Sequence, residues 1–235
     1  MSNSNQPQKE IESIEILPEN YPSYNISFKV IVIGDTGVGK SCISLRATKS
    51  VFNEQYMATV GFEYCTFIAR FNGEVLKLQI WDTCGQEMYR SLVSNFYKSS
   101  ALAIVVYAIN DRKSFEDIDE WIDGVRKNSS SDIILFLVGN KFDVDEEERK
   151  VTYEEGEELK NKLGFSYFCE ISAKTGFNTK EIFIEAIKQL YTRYKEVMNL
   201  SSNLDSKNNS KCTYSIRRGS VLSSKNKTNK KDKCC

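Results

Sequence analysis

Residues 34–41 contain three glycines, a lysine and a serine at a spacing suited to holding phosphate. The segment Gly34-Asp-Thr-Gly-Val-Gly-Lys40-Ser41 directly follows the apolar run Phe28–Ile33. Its glycines let backbone N–H groups curl around an anion in conformations that a Cβ would obstruct. Lys40 offers a positive charge to the terminal phosphates, and the Ser41 hydroxyl is a hard oxygen ligand suited to Mg²⁺. The segment therefore predicts binding of a nucleoside triphosphate.

A second polar segment, Asn140-Lys141-Phe142-Asp143, follows the apolar run Ile133–Gly139 and bears on the choice of base. The Asp143 carboxylate can accept two N–H donors from the N1/N2 edge of guanine, and adenine has no matching pair. Asn140 can brace the loop, and the aliphatic stem of Lys141 can lie across the base. Taken alone, the segment is more typical of an ordinary polar turn than of a base-binding site.

Ser172-Ala173-Lys174 follows the next predicted strand, Phe165–Ile171, and strengthens the guanine interpretation. Its backbone N–H groups can meet the guanine oxygen, because ligands in open α/β sheets bind at the carboxyl ends of strands. An ATP-using enzyme with the same phosphate loop is the competing interpretation, and Asp143 argues against it.

A third constellation supplies candidates for metal binding and hydrolysis. Asp82 follows the apolar run Val75–Trp81 and can hold Mg²⁺ through a water molecule. Gly85 permits a backbone N–H to approach the γ-phosphate. Gln86 can orient an attacking water. Thr59, in the segment between the phosphate loop and Asp82, can complete the Mg²⁺ shell while a γ-phosphate is present. The alternative is a strand that ends in a polar turn.

Apolar runs alternate with helical patterns from residue 28 to about 198. The runs Phe67–Phe71 and Val75–Trp81 flank Asn72-Gly73, a two-residue hairpin signal. Continuous apolar runs at Ala101–Ile109 and Ile133–Gly139 are typical of strands buried on both faces. We therefore predict an α/β fold, a mostly parallel six-stranded sheet with one antiparallel strand, flanked by about five helices.

The chain divides into three parts by composition. Residues 1–27 hold all three prolines and many polar residues, which predicts a disordered lead before a domain at 28–198. The tail 199–235 carries nine Lys and Arg against two Asp, which predicts a flexible basic tether for an anionic surface. The domain has no basic stripe, so nucleic-acid binding is not expected. Seven scattered cysteines suggest reduced thiols in the cytosol.

The nucleotide segments, in this order, resemble the Ras-like small GTPases, and their details are similar to the Rab branch. The similarity lies in residues 34–42, in Lys77-Leu-Gln-Ile-Trp-Asp-Thr83 and in Gln86-Glu-Met-Tyr-Arg-Ser-Leu92. It implies a GTP/GDP switch that binds Mg²⁺ through Ser41, Thr59 and Asp82, with Gln86 as the catalytic residue. The nucleotide-binding residues it implies are Gly34, Asp35, Thr36, Gly37, Val38, Gly39, Lys40, Ser41, Cys42, Phe52, Thr59, Gly85, Asn140, Lys141, Asp143, Ser172, Ala173 and Lys174.

The same resemblance implies an effector surface and a lipid anchor. Tyr64, Trp81 and Phe96 match the exposed aromatic triad of Rab proteins, although core packing is the alternative. The terminal Cys234-Cys235 resembles a double geranylgeranylation signal. Implied partners are an exchange factor, a GTPase-activating protein, an escort protein with prenyl transferase, a dissociation inhibitor and vesicle effectors. The expected location is the cytoplasmic face of intracellular membranes, with a soluble cytosolic pool.

Three departures from the family pattern bear on rate and partner choice. Cys84 stands where Ala is usual, Thr36 crowds the γ-phosphate position, and residues 60–64 differ from the commoner effector sequence. We expect a slow but competent GTPase that needs an activating protein. The alternative is a GTP-binding scaffold with negligible turnover.

Overall fold

A computed structural model describes residues 13–54, 59, 61–83, 96–204 and 217–218. Its centre is one sheet whose strands lie side by side in the order β1-β3-β4-β2-β5-β6-β7. Their bounds are β1 Ile14–Leu17, β2 Ile26–Ile33, β3 Phe62–Phe71, β4 Glu74–Thr83, β5 Leu102–Ala108, β6 Ile134–Asn140 and β7 Tyr167–Glu170. Along this path β3 is antiparallel to both neighbours, and the other pairs are parallel. The predicted fold class is confirmed.

The predicted hairpin joins β3 to β4. Asn72 and Gly73 have φ values of 49° and 77°, the left-handed conformations that a two-residue turn between twisted strands requires. Every residue of β5 and β6 is buried, as their continuous apolar runs predict for strands covered on both faces. The hairpin lies at one side of the sheet, and the parallel strands form its middle.

Helices cover the two faces of the sheet. They are α1 Lys40–Lys49, α2 Arg112–Glu116, α3 Ile118–Asn128, α4 Tyr153–Leu163 and α5 Thr179–Leu204, with a short 3₁₀ turn at Glu146–Glu148. Apolar residues of α1 and α5 share one core with Val30 and Val32 of β2. Those of α3 share a second core with Ile31 and Ile33. The alternation of β2 side chains between these cores follows from the strand period of two.

The prediction of a disordered lead is wrong for residues 13–27. Here β1 pairs with the outer edge of β3, from Ile14 opposite Phe71 to Leu17 opposite Ile68. Leu17 is buried in a small cluster with Ile68 and Val75. The physical reason is that an edge strand offers unpaired backbone N–H and C=O groups, and a short apolar segment can satisfy them whatever its flanking composition. Residues 1–12 lie outside the described part.

The predicted tail boundary at 198 is also revised. Helix α5 continues to Leu204, and a two-residue strand, β8 (Arg217–Arg218), pairs antiparallel with β2 at Ile26 and Ser27. For the remainder of the tail the flexible tether stays a prediction. Within the described residues, no helix is both long and apolar enough to cross a membrane.

The packing of β1 predicts a difference between two neighbouring substitutions. Leu17→Ala should lower the free energy of unfolding by about 2 kcal/mol, because Leu17 is buried and its truncation leaves a cavity. Ile16→Ala is the control, since Ile16 is 41% exposed and should cost less than about 0.5 kcal/mol. Urea unfolding of the GDP-bound protein measures both values. Equal effects of the two substitutions would contradict the pairing of β1 with β3.

Candidate functional site

The predicted site residues meet at one edge of the sheet. The segment 34–39 connects the end of β2 to α1, Asp82 lies near the end of β4, Asn140 ends β6, and Ser172 follows β7. These strands are parallel, so their carboxyl ends face the same side. Segments that are far apart in sequence thereby form one cleft.

Two glycines of the phosphate loop are required by close contacts with β5 and β6. Gly34 has φ 139°, and a Cβ added to it would lie 2.1 Å from the carbonyl oxygen of Val106 on β5. Gly39 has φ 95°, and its Cβ would lie 2.3 Å from Nδ2 of Asn140. A side chain at either position would push the loop away from the sheet. The glycine spacing noted in the sequence therefore matches steric needs of the fold.

Lys40 is buried and holds its ammonium group inside the phosphate loop. Its Nζ donates hydrogen bonds to the carbonyl oxygens of Gly34, at 2.8 Å, and Asp35, at 2.7 Å. These bonds run back across the loop from the first residue of α1. The arrangement keeps a positive charge where the backbone curls, which suits an incoming phosphate chain.

Three oxygen-bearing side chains converge beside Lys40 and fit a magnesium ion. Ser41 Oγ lies 2.8 Å from Thr59 Oγ1 and donates to Oδ2 of Asp82. Asp82 is 1% exposed, and its Oδ1 has no hydrogen-bond partner in the part of the chain that the structure describes. Burial raises the pKa of Asp82 to about 6, against the smaller opposing effects of Ser41 and Lys40. A buried carboxylate with one unsatisfied oxygen calls for a cation.

Magnesium would need further ligands besides these three side chains. Among the described residues no group of three or more Cys, Asp or Glu side chains gathers to hold a metal. Mg²⁺ commonly keeps waters and takes phosphate oxygens beside one or two protein ligands. When bound, it would neutralise charge on the phosphate chain. The donor set therefore suits a metal that arrives with a nucleotide.

The segments predicted to bind the base are joined by side-chain hydrogen bonds. Asn140 is 2% exposed; its Nδ2 donates to the Val38 carbonyl at 2.7 Å, and its Oδ1 accepts from Ala173 N–H at 3.1 Å. Ser172 Oγ donates to Asp143 Oδ1 at 2.6 Å. The exposed Asp143 carboxylate is thus oriented from the neighbouring loop. Lys141 has φ 73°, an uncommon conformation for a lysine, between these two anchored residues.

Comparison of the sequence with models of protein families identifies the family of this chain. The sequence model of the Ras family matches residues 29–192, a range that includes Lys40, Asp82, Asn140 and Ser172 of the cleft. The chain belongs to the Ras family. It is therefore a small GTPase, a switch that binds guanine nucleotide together with Mg²⁺.

The remaining residues that are predicted to bind the nucleotide in this Ras-family protein differ in their exposure. Thr36 and Gly37 are exposed at the tip of the loop, while Val38 is fully buried. Phe52 is half-buried and packs against the core that contains α1. Cys42 is also half-buried, and burial raises the pKa of its thiol, which disfavours a nucleophilic role. Gly85, Gln86, Cys234 and Cys235 lie outside the described residues.

Two residues at the site were not predicted from the sequence. Arg46 of α1 donates from Nε to the Ala173 carbonyl at 3.1 Å and from Nη2 to the Lys174 carbonyl, which fixes the base-binding loop. Trp121 of α3 donates from Nε1 to Oδ1 of Asp35 in the phosphate loop, at 2.8 Å. Arg46 sits on a short helix with little amphipathic pattern, and Trp121 lies on the buried face of a strongly amphipathic helix. Neither pattern shows which polar atom the side chain meets.

The aromatic triad of this small GTPase forms part of a larger surface cluster. Trp81 lies 5.5 Å from Tyr64 and 5.6 Å from Phe96 between ring centres, and Phe62 lies 5.3 Å from Trp81. Phe62 and Tyr64 are each 47% exposed, so core packing does not account for them. The Lys29 ammonium lies 5.2 Å from the centre of the Trp81 ring. Phe62 is thus a fourth member that the sequence analysis missed.

The buried Asp82 carboxyl predicts a pH dependence for the magnesium-free, GDP-bound protein. Its folded-state pKa is raised to about 6, so the folded state binds a proton more tightly than the unfolded chain. The free energy of unfolding should therefore fall as pH rises from about 4 to about 6, by roughly 2 to 3 kcal/mol. Urea unfolding in EDTA across this window measures it, and excess Mg²⁺ should reduce the loss by favouring the ionised form.

Two substitutions test the assignment of this dependence to Asp82. Asp82→Asn should abolish most of the slope, because the amide does not titrate. Glu63→Gln, which alters the exposed carboxylate opposite Asp82 on β3, should keep it. The same slope in wild type and Asp82→Asn would show that another group is responsible.

Proposed function

We propose that this Ras-family GTPase is a Rab-type switch that regulates vesicle and membrane traffic from a lipid-anchored position. The observation that supports this most is the aromatic surface cluster of Phe62, Tyr64, Trp81 and Phe96. Its residues lie on β3, on β4, which also carries Asp82, and in the segment before β5. A partly exposed aromatic surface suits recognition by a protein partner, since aromatic residues dominate the buried centres of interfaces.

In the proposed mechanism, each segment of the cleft has one task. Asp143 accepts the N1 and N2 hydrogens of guanine, and the Ser172–Lys174 loop faces the guanine oxygen. Lys40 and the loop N–H groups would bind the phosphates, and Ser41, Thr59 and Asp82 would hold Mg²⁺. Gln86 orients a water that attacks the γ-phosphorus; the bond from the γ-phosphorus to the β–γ bridging oxygen breaks, GDP leaves, and the water protons remain with the inorganic phosphate or solvent. Thr59 is released when the γ-phosphate leaves, which changes the surface offered to effectors.

Intrinsic hydrolysis is proposed to be slow and to need an activating protein. Thr36 lies at the exposed tip of the phosphate loop, and we infer from the family resemblance that its side chain crowds the γ-phosphate. Slow turnover gives the switch a long GTP-bound lifetime. An exchange factor then controls the replacement of GDP by GTP, and an activating protein controls the hydrolysis of GTP.

Membrane attachment is proposed to depend on the last two residues. Geranylgeranyl groups on Cys234 and Cys235 would give stable anchoring, whereas one chain alone is marginal. The lysines of the tail add attraction to an anionic leaflet. Escort protein, prenyl transferase and dissociation inhibitor are the partners this cycle requires, and effectors on vesicles receive the GTP-bound form. The expected location is the cytoplasmic face of intracellular membranes, with a cytosolic pool.

Base recognition by Asp143 predicts a change of nucleotide preference. Asp143→Asn should weaken GTP binding by about 100-fold, because a charge-assisted pair of hydrogen bonds is lost. It should bind xanthosine triphosphate better than wild type does, since xanthine presents an acceptor where guanine has the amino group. Competition against labelled GDP measures both affinities. Asp145→Asn, an exposed neighbour in the same segment, is the control, and an unchanged GTP affinity of Asp143→Asn would contradict the assignment.

Lipid anchoring predicts a change of cellular fraction. In cells that supply prenyl transferase, the wild-type chain should sediment with membranes, and the variant with Cys234→Ser and Cys235→Ser should be soluble. Cys212→Ser removes another cysteine of the same tail and should remain on membranes. Fractionation and imaging of tagged proteins measure this. A diffuse signal from wild type and double variant alike would overturn the anchoring proposal.

A further inference from the structure

Two aromatic rings stack on the outer surface beside the base-binding loops. The ring centres of Phe142 and Phe177 lie 5.1 Å apart, with 21° between the ring planes. The side chains are 44% and 48% exposed, so neither belongs to the core. Single exposed apolar residues are ordinary, but this pair joins two loops that are distant in sequence. Its position indicates a role in holding these two loops together.

Backbone hydrogen bonds place each ring at a junction of the base-binding loops. Phe142 N–H donates to the carbonyl of Ile171 at 2.9 Å, and Ser172 N–H donates to the carbonyl of Phe177 at 3.1 Å. Phe142 directly precedes Asp143, and Phe177 closes the turn that begins at Ser172. The stack therefore bridges the same two loops that Asp143 and Ser172 join on the inside.

Arg149 supports the Phe142 ring. The centre of its guanidinium group lies 5.8 Å from the ring centre, within the range of a cation–π contact. Two hydrogen bonds to the buried carboxylate of Glu170, at 2.7 and 2.9 Å, hold this guanidinium in place. Glu170 is the last residue of β7, so the ring is anchored through Arg149 to the sheet. Phe142 is thus restrained although its side chain is exposed.

We propose that Phe142 and Phe177 form an aromatic latch that fixes the separation of the two base-binding loops and slows release of guanine nucleotide. The inference rests on the proposed function, in which Asp143 and the Ser172–Lys174 loop contact the base together. A base held from two loops loses both sets of contacts when the loops separate. The two phenylalanines are positioning residues that act through Asp143 and Ser172.

The test measures dissociation of a fluorescent methylanthraniloyl-GDP in the presence of excess GDP. Phe142→Ala and Phe177→Ala should each raise the rate by about twofold to tenfold, the value of one aromatic pair. The double variant should release GDP no faster than the faster single variant, because either change already breaks the stack. Phe142→Tyr keeps the ring and should keep the wild-type rate. Tyr153→Ala, which removes a ring of similar exposure (47%) on α4, is the control.

A second nucleotide separates a latch from general loosening. Inosine diphosphate lacks the amino group that Asp143 would contact, so misalignment of Asp143 should accelerate release of GDP more than release of IDP. Equal acceleration of both, unchanged rates, or additive effects in the double variant would overturn the latch. Wild-type protein that releases GDP and IDP equally fast would instead overturn the proposed contact of Asp143, and the latch with it.

Discussion

The buried amide of Asn140 joins the phosphate-binding and base-binding halves of the cleft. It donates to the Val38 carbonyl and accepts from the Ala173 N–H, so both polar ends are satisfied away from water. A buried amide that lost either partner would cost about 1–3 kcal/mol, which holds the two loops in one relative position. Gly39 is a consequence of this bridge, because any Cβ there would collide with the amide. One buried side chain thus links the segments predicted to bind phosphate and base.

The alternation of side chains along β4 connects this unit to the outer surface. Asp82 points into the cleft and is buried, while its neighbour Trp81 is half-buried against the second core and joins the aromatic surface cluster. Successive residues of a strand face opposite sides, so the two roles need only one strand. Beside Asp82 at the candidate metal site, Thr59 contacts Ser41 only a few residues before Phe62, which packs on Trp81. A shift of Thr59 is thereby positioned to disturb the aromatic cluster.

The features that could be predicted from the sequence are those determined by residues adjacent in the chain. The glycines and Lys40 of the phosphate loop, the Asn72-Gly73 turn and the buried strands each follow from local sterics or apolar period. Arg46 and Trp121 were missed because their partners lie far away in sequence, and a helical pattern does not show which polar atom meets them. The Phe142–Phe177 stack was missed for the same reason.

The two errors in domain boundaries share one physical cause. Both β1 and β8 come from segments outside the Ras-family match, and both add to strands by backbone hydrogen bonds. Such bonds place little demand on side-chain type, so polar composition alone does not exclude them. The position of β1 has a consequence for recognition, because it covers the edge of β3 only from Ile68 to Phe71. A partner that approaches the opposite end of β3 meets Phe62 and Tyr64, where the strand and the aromatic cluster coincide.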